Sequence, residues 1–280
     1  MARIEVADKA GACFGVERGL RFVEEFAAKA DGKPVHTLGP LIHNPIVVSD
    51  LESRGVRVTD SLDVEPGSVL VLRTHGVPPQ VEQAARDAGL EVVDATCPFV
   101  KACHLHAWNL SQEGYQVIVV GEHGHPEVEA TAAYAPDALV VSCAEEAAIV
   151  PLRRKVAVVV QTTQTKALLQ EVVSQLVVRT DELRVMNTIC SATSERQAAA
   201  ANLASRSDVM VVVGGKSSAN TTHLAEICAQ ACPNTHHIES ADELEAAWFE
   251  GAELVGITAG ASTPASHIES VRVAISGFVA

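Results

Sequence analysis

Short, almost continuously apolar runs alternate with longer helical stretches along this chain. The runs are Arg3–Val6, Ser68–Leu72, Glu91–Val93, Gln116–Val120, Val156–Val160, Val209–Val213 and Leu254–Ile257. Such runs suit strands buried on both faces. Between them the pattern predicts helices over Val16–Ala30, Pro79–Ala88, Val100–Gln112, Lys166–Leu176, Ser194–Arg206, Thr222–Ala231 and Ser266–Phe278. Strand–helix alternation of this kind predicts an α/β fold with largely parallel sheets. At 280 residues the chain is long enough for two domains, or for three small ones.

Three cysteines stand directly before helices. They occur in Cys13-Phe-Gly-Val-Glu-Arg, Cys97-Pro-Phe-Val-Lys and Cys190-Ser-Ala-Thr-Ser-Glu-Arg, 84 and 93 residues apart. This spacing suggests three α/β units, 14–97, 98–190 and 191–280, with an N-terminal strand in 1–13. A thiolate at a helix start is stabilised by the helix dipole and by free N–H groups. Zinc sites usually announce themselves as two C-x₂₋₄-C pairs; only Cys228 and Cys232 have that spacing, and core packing on one helix face is preferred there to a metal pair. Three thiolates could hold an iron–sulfur cluster and leave one iron open to substrate. Spacing alone leaves open the plainer reading of small buried hydrophobes. Cys103, Cys143, Cys228 and Cys232 are read as packing residues.

The charge balance excludes other classes. With 35 acidic and 21 basic side chains the formal charge is −14, and aromatics are only 4%. A general nucleic-acid binder needs clustered cations and stacking rings, so none is expected as partner. No run is long enough to span a membrane and the N-terminus shows no signal-peptide pattern, so the expected location is cytoplasmic. A charge of −14 repels anions at long range, so an anionic substrate would need local donors.

Such donors cluster at strand exits. His43 lies in Leu-Ile-His-Asn-Pro, His75 in Arg-Thr-His-Gly and His125 in Gly-Glu-His-Gly-His-Pro-Glu. The ends of parallel strands are where α/β sheets bind ligands, and imidazoles can donate to phosphate. His123-Gly-His125 is alternatively a metal pair of a hydrolase. Glu127 could donate a proton if burial raises its pKa, or it could be an ordinary solvated helix-start glutamate, with Glu129 as the natural control. Gly214-Gly-Lys-Ser-Ser218-Ala219-Asn220-Thr221, Thr258-Ala-Gly-Ala-Ser262-Thr-Pro and Gln161-Thr162-Thr163 are small, polar strand-to-helix loops. They could bind anions, whether in an enzyme or in a non-catalytic module.

Together the strings GACFGVERG, LGPLIHNP, THGV, DATCPFV, GHPEVE, QTTQT, TICSATSERQ, GGKSSANT and ITAGAST span residues 11 to 264. In this order they resemble the 4-hydroxy-3-methylbut-2-enyl diphosphate reductase family of the methylerythritol phosphate route to isoprenoids. The resemblance implies three similar α/β domains in pseudo-threefold arrangement around one 4Fe–4S cluster. It implies Cys13, Cys97 and Cys190 as the ligands, with one iron open. It places His43, His75, His125, Thr162, Ser218, Ala219, Asn220 and Ser262 around the substrate and its diphosphate. Glu127, helped by Thr162 and His125, would deliver protons. The implied reaction is a reductive dehydroxylation giving isopentenyl and dimethylallyl diphosphates, with electrons from reduced ferredoxin or flavodoxin. Ala219 stands where many relatives carry a second serine, and the C-terminal extension of some relatives is missing. A related iron–sulfur protein of different activity shares enough of these strings to be the main competing reading.

Overall fold

The computed structural model describes residues 2–29 and 32–279. Ala30, the last residue of the first predicted helix, lies outside the described residues, as do Asp31, Met1 and Ala280. In chain order the elements are β1 (Arg3–Val6), α1 (Phe14–Lys29), β2 (Val35–Leu38), α2 (Pro45–Ser53), β3 (Val56–Thr59), β4 (Val69–Leu72), α3 (Pro79–Asp87), β5 (Glu91–Asp94) and α4 (Pro98–Gln112). They continue with β6 (Gln116–Val120), α5 (Pro126–Ala133), β7 (Leu139–Val141), α6 (Ala144–Ile149), β8 (Lys155–Val160), α7 (Lys166–Val177) and β9 (Glu182–Val185). The last are α8 (Ser191–Ala204), β10 (Val209–Val213), α9 (Ala219–Ala231), β11 (Thr235–Ile238), two short 3₁₀ turns, β12 (Leu254–Ala259) and α10 (Ala265–Phe278).

The strands form three four-stranded parallel sheets, ordered β3-β2-β4-β5, β7-β6-β8-β9 and β1-β12-β10-β11. All three share one plan. The first and third strands of each set are central, and the second and fourth are edges. In the third sheet the fourth strand is β1, from the opposite end of the chain. Arg3 pairs with Leu254 and Val6 with Ile257.

Two compact units result. One comprises Met1–Phe14, His43–Pro45 and Ser191–Ala280, and carries the β1-β12-β10-β11 sheet. The other comprises Gly15–Ile42 and Ile46–Cys190, and carries the other two sheets. Each sheet is covered on both faces. In the β2–β5 sheet, Val23, Leu41 and Val71 belong to one apolar core and Leu38, Leu70 and Leu72 to another. In the β6–β9 sheet, Val117 and Val119 face α4 and α5 residues while Ile118 and Val120 face α7 residues. In the third sheet Val211 and Val213 pack with α10 residues, and Met210 and Val212 with α8 and α9 residues.

This layering separates central strands from edges. β2, β4, β6, β10 and β12 are buried throughout, and β8 is buried beyond Lys155. β1 and β9 contain no buried residue. The sequence pattern predicts most of the central strands. It does not predict β3, β9 and β11, whose residues are mixed in polarity because an edge meets solvent, nor β7, an apolar edge only three residues long. It also misses β2, where His36 and Thr37 interrupt the apolar run although both are buried.

Ile118 is fully buried in β6, whereas Val185 at the end of β9 is 37% exposed. Ile118→Ala is expected to cost about 2–5 kcal/mol of stability and Val185→Ala less than about 1 kcal/mol. Urea unfolding midpoints of the two variants measure the difference; equal costs would contradict the distinction between central and edge strands.

Candidate active site

Cys13, Cys97 and Cys190 share one local geometry. Each follows the fourth strand of its sheet, and each backbone N–H donates to a carbonyl two residues beyond the third strand. The bonds are Cys13 N to Ala261 O, Cys97 N to Thr74 O and Cys190 N to Thr162 O, each 3.0 Å. The strand-end carbonyl thus fixes where the chain turns into the next helix. Two arginines reinforce these turns. Arg18, after Cys13, donates to Thr96 O at 3.1 Å, just before Cys97. Arg196, after Cys190, is 3% exposed and donates to Gly11 O at 2.7 Å, just before Cys13. Sequence reasoning assigned neither arginine a role; the local signal was an arginine five or six residues after a helix-initiating cysteine.

In the larger unit, His75, His125, Glu127, Thr162 and the Cys97 and Cys190 turns gather at strand exits. His125 caps α5, its Nδ1 accepting the Glu127 backbone N–H at 3.1 Å. An accepting Nδ1 carries no proton, so Nε2 of the neutral ring is a donor. The His75 and His125 rings meet edge to face with centroids 5.6 Å apart. Glu127 is 2% exposed. Its carboxyl group accepts the Thr162 backbone N–H at 2.6 Å and contacts the Thr162 hydroxyl at 2.9 Å. Glu129, two residues on, is exposed. The contrast removes the solvated helix-start reading for Glu127. Burial pushes its pKa up to about 7, against the lowering effect of the two Thr162 hydrogen bonds. Gln161, noted in the sequence only as part of a loop, accepts Glu122 N–H at 2.9 Å and so ties β8 to the loop before α5.

His123 lies elsewhere. It is exposed and contacts Glu146 at 2.8 Å, while His125 points into the structure. The two do not act as a preformed pair. Among the other histidines, His104 is buried against Tyr134, with stacked rings 4.4 Å apart and its pKa pushed down to about 4 by burial.

In the other unit, the loops after β10 and β12 enclose His43 and Asn44. Ser262 Oγ donates to His43 O at 3.2 Å, and Asn44 Nδ2 donates to Ser262 O at 2.9 Å. Gly215 lies so close that a Cβ there would come within 2.6 Å of His43 O. Ser218 caps α9 and accepts Thr221 N–H. Ala219 and Asn220 open that helix, so their backbone N–H groups belong to its first turn. Asn220 is 3% exposed, yet among the described residues neither of its side-chain polar atoms has a hydrogen-bond partner. A buried amide in that condition costs about 1–3 kcal/mol, which a polar ligand would recover. Lys216, the cation of this loop, is engaged at the surface with Glu243. Asn44 was not singled out from the sequence, although it adjoins His43 and precedes a proline.

A family model described as "LytB protein" matches residues 4–276. The chain belongs to the LytB family. A relative from Pelobacter propionicus named 4-hydroxy-3-methylbut-2-enyl diphosphate reductase is 48% identical over 270 residues, covering 96% of each chain. A relative of the same name from Aquifex aeolicus is 44% identical, covering 97% of this chain and 95% of its own. A solved structure of (E)-4-hydroxy-3-methyl-but-2-enyl diphosphate reductase, described as the terminal enzyme of the non-mevalonate pathway, is 44% identical. It covers 99% of this chain and all of its own, with TM-score 0.72. A reductase structure from Plasmodium falciparum is 27% identical, covering 96% of this chain and 86% of its own, with TM-score 0.91.

The cofactor that the LytB family implies is an iron–sulfur cluster. The thiols of this LytB chain suit one. Cys13, Cys97 and Cys190 form no disulfide and are partly exposed at helix starts, as is Cys143 before α6, against its reading as a packing residue. Cys103, Cys228 and Cys232 are buried, and burial pushes the first two up to about 12, where thiolates do not form readily. Among the described residues no three His, Cys, Asp or Glu side chains are gathered around a point that could hold a metal ion. A cubane cluster takes each thiolate on a different iron, so its ligands need not meet within reach of one ion.

The raised pKa of Glu127 has a consequence for stability. Between pH 4.5 and about 7 the native carboxyl keeps a proton that the unfolded chain releases. Stability from this group is therefore full below pH 4.5 and is lost as the pH rises to about 7, by about 3 kcal/mol in all. Glu127→Gln removes the effect. Relative to the variant, the wild-type urea midpoint should fall between pH 5 and pH 8; parallel pH profiles would show that Glu127 is not held neutral.

Proposed function

We propose that this chain reduces 4-hydroxy-3-methylbut-2-enyl diphosphate to isopentenyl and dimethylallyl diphosphates, the closing step of the methylerythritol phosphate pathway. The observation that carries the reading is the sealed Glu127–Thr162 pair. A carboxyl group with its pKa near 7 can still hold a proton at neutral pH, and it touches a hydroxyl that can pass the proton on.

In this reading Cys13, Cys97 and Cys190 hold one 4Fe–4S cluster with one iron free of protein ligands. When bound, the cluster supplies two electrons and Lewis-acid assistance to cleavage of the allylic carbon–oxygen bond. The substrate takes up two electrons and two protons, losing its hydroxyl oxygen as water. Glu127 holds the proton at Oε2, and the Thr162 hydroxyl accepts it while giving its own toward the departing oxygen. His125 keeps the start of α5 in place and presents Nε2–H.

The diphosphate is assigned to neutral donors. His43, His75 and His125 supply ring N–H groups, Ser218 and Ser262 hydroxyls, Asn220 its side-chain amide and Ala219 its backbone N–H. The absence of a serine side chain at 219 leaves that backbone donor intact. The orphaned amide of Asn220 and the engagement of Lys216 with Glu243 support this assignment. Electrons come from reduced ferredoxin or flavodoxin, in the cytoplasm. Among the described residues no helix is long and apolar enough to cross a membrane, and the acidic composition argues against nucleic acid as a partner. The shared strand order supports domain limits at 14–97, 98–190 and 191–280, the last completed by the strand in 1–13.

Anaerobically purified protein should contain iron and acid-labile sulfide and turn over the hydroxylated diphosphate with a strong artificial reductant. Stoichiometric zinc without iron would sink the reading. Iron without turnover would favour a related iron–sulfur protein of different activity.

Glu127→Gln should lower kcat at least about 100-fold and leave iron content unchanged. In the wild type, kcat should fall above about pH 7, as Glu127 loses its proton. Cys97→Ser should lose iron and Cys103→Ala should keep it; the reverse pattern would mean that the ligand set is wrong.

A further inference from the structure

The turn that carries His75 is closed from both ends by one residue. Gly76 N–H donates to Arg73 O at 3.0 Å, closing the turn Arg73-Thr74-His75-Gly76 with Gly76 at φ +75°. The Arg73 side chain returns the contact, its Nε donating to Gly76 O at 3.4 Å. Thr74 ties the same turn to the exit of the neighbouring strand, its N–H and hydroxyl both donating to Leu41 O, at 3.2 and 2.9 Å.

The Arg73 guanidinium has a fitted seat. Its Nη1 end abuts Gly39, in the loop after β2, where an added Cβ would come within 2.5 Å of that nitrogen. Gly39 also has φ +69°, a conformation that a side chain would strain. The guanidinium is half-buried and is faced by the carboxylates of Glu129 on α5 and Asp60 after β3. A directed Nε–H at one point and an Nη1 contact at another suit the rigid fork of arginine and not the point charge of lysine.

We infer that Arg73 is a positioning residue for His75. By spanning Gly39 and Gly76 it locks the turn that aims this imidazole. The inference rests on the reading of His75 as a diphosphate donor. An imidazole free to swing would bind the anion less tightly without slowing the chemical step, because it does not touch the reacting carbon–oxygen bond.

Arg73→Met, Arg73→Lys, His75→Ala and the double variant Arg73→Met/His75→Ala test this, each loaded with iron to the wild-type level. Arg73→Met should raise KM for the hydroxylated diphosphate, and Ki for inorganic diphosphate, about tenfold, with kcat within about twofold. Arg73→Lys should behave in the same way, since one ammonium cannot donate to Gly76 O and reach Gly39 at once. The double variant should bind no worse than His75→Ala alone, because Arg73 acts through His75. Full rescue by lysine, additive losses in the double variant, or an unchanged KM in Arg73→Met beside a raised one in His75→Ala would each overturn the inference. If His75→Ala leaves both constants unchanged, the diphosphate role of His75 fails instead. Urea midpoints equal to the wild type exclude general loosening as the cause; a kcat loss that tracks a lowered midpoint would count against Arg73.

Discussion

Everything functional in this chain hangs from six strands that are dry on both faces. β2, β4, β6, β8, β10 and β12 lie between paired apolar cores, so their ends are held without help from the loops. That rigidity frees the strand exits to carry polar and strained backbone. The His75 turn, the Thr162 contact with Glu127 and the Ser218 cap begin within a few residues of such an exit, and the Cys13, Cys97 and Cys190 turns, which follow edge strands, are each hydrogen-bonded to a carbonyl beyond one. The hydrogen bond from each cysteine N–H to a carbonyl beyond the third strand repeats the same solution three times. Parallel sheets expose their carboxyl ends in common, which is why a chain of this class collects its chemistry there.

The chemistry so gathered is mostly neutral. The chain carries a formal charge of −14, and Lys216, in a loop proposed to bind the diphosphate, is engaged with Glu243. Imidazole, hydroxyl, amide and backbone N–H donors act only at contact distance, so a global field has little purchase on them once water is displaced. The same exclusion of water that strengthens those donors keeps the proton on Glu127. One physical cause, burial at strand exits, therefore serves both halves of the proposed reaction.

Much of this was legible in the residues, and the remainder was hidden for identifiable reasons. Central strands such as Val209–Val213 declare themselves because both faces demand apolar side chains. Thr235–Ile238 and Glu182–Val185 do not, since an edge tolerates His, Glu and Arg. Val35–Leu38 was concealed by His36 and Thr37, which are buried in spite of their polarity. Glu127 could be named from its setting, but nothing local separates it from Glu129; the difference arises from what packs over each. Arg18, Arg196 and Arg73 escaped notice because their partners lie far along the chain, at Thr96, Gly11 and Gly39. Sequence pattern reports the company a residue keeps along the chain better than the company it keeps in space.

The borrowed edge strand has a consequence for how the molecule is made. Among the described residues β1 pairs only with β12, so it has no strand partner until residues 254–259 have been made. Until then the Cys13 N–H also lacks its carbonyl, which belongs to Ala261. The two sheets between residues 35 and 185 can close while synthesis continues, because all their pairings are internal to that stretch. The nascent protein thus passes through a period in which Cys97 and Cys190 can already sit in finished turns while Cys13 waits on an unpaired segment. Its fixation waits on the slowest contacts, those that join the two ends of the chain. Emergence of β12 and Ala261, rather than of any earlier motif, completes the set of three turns.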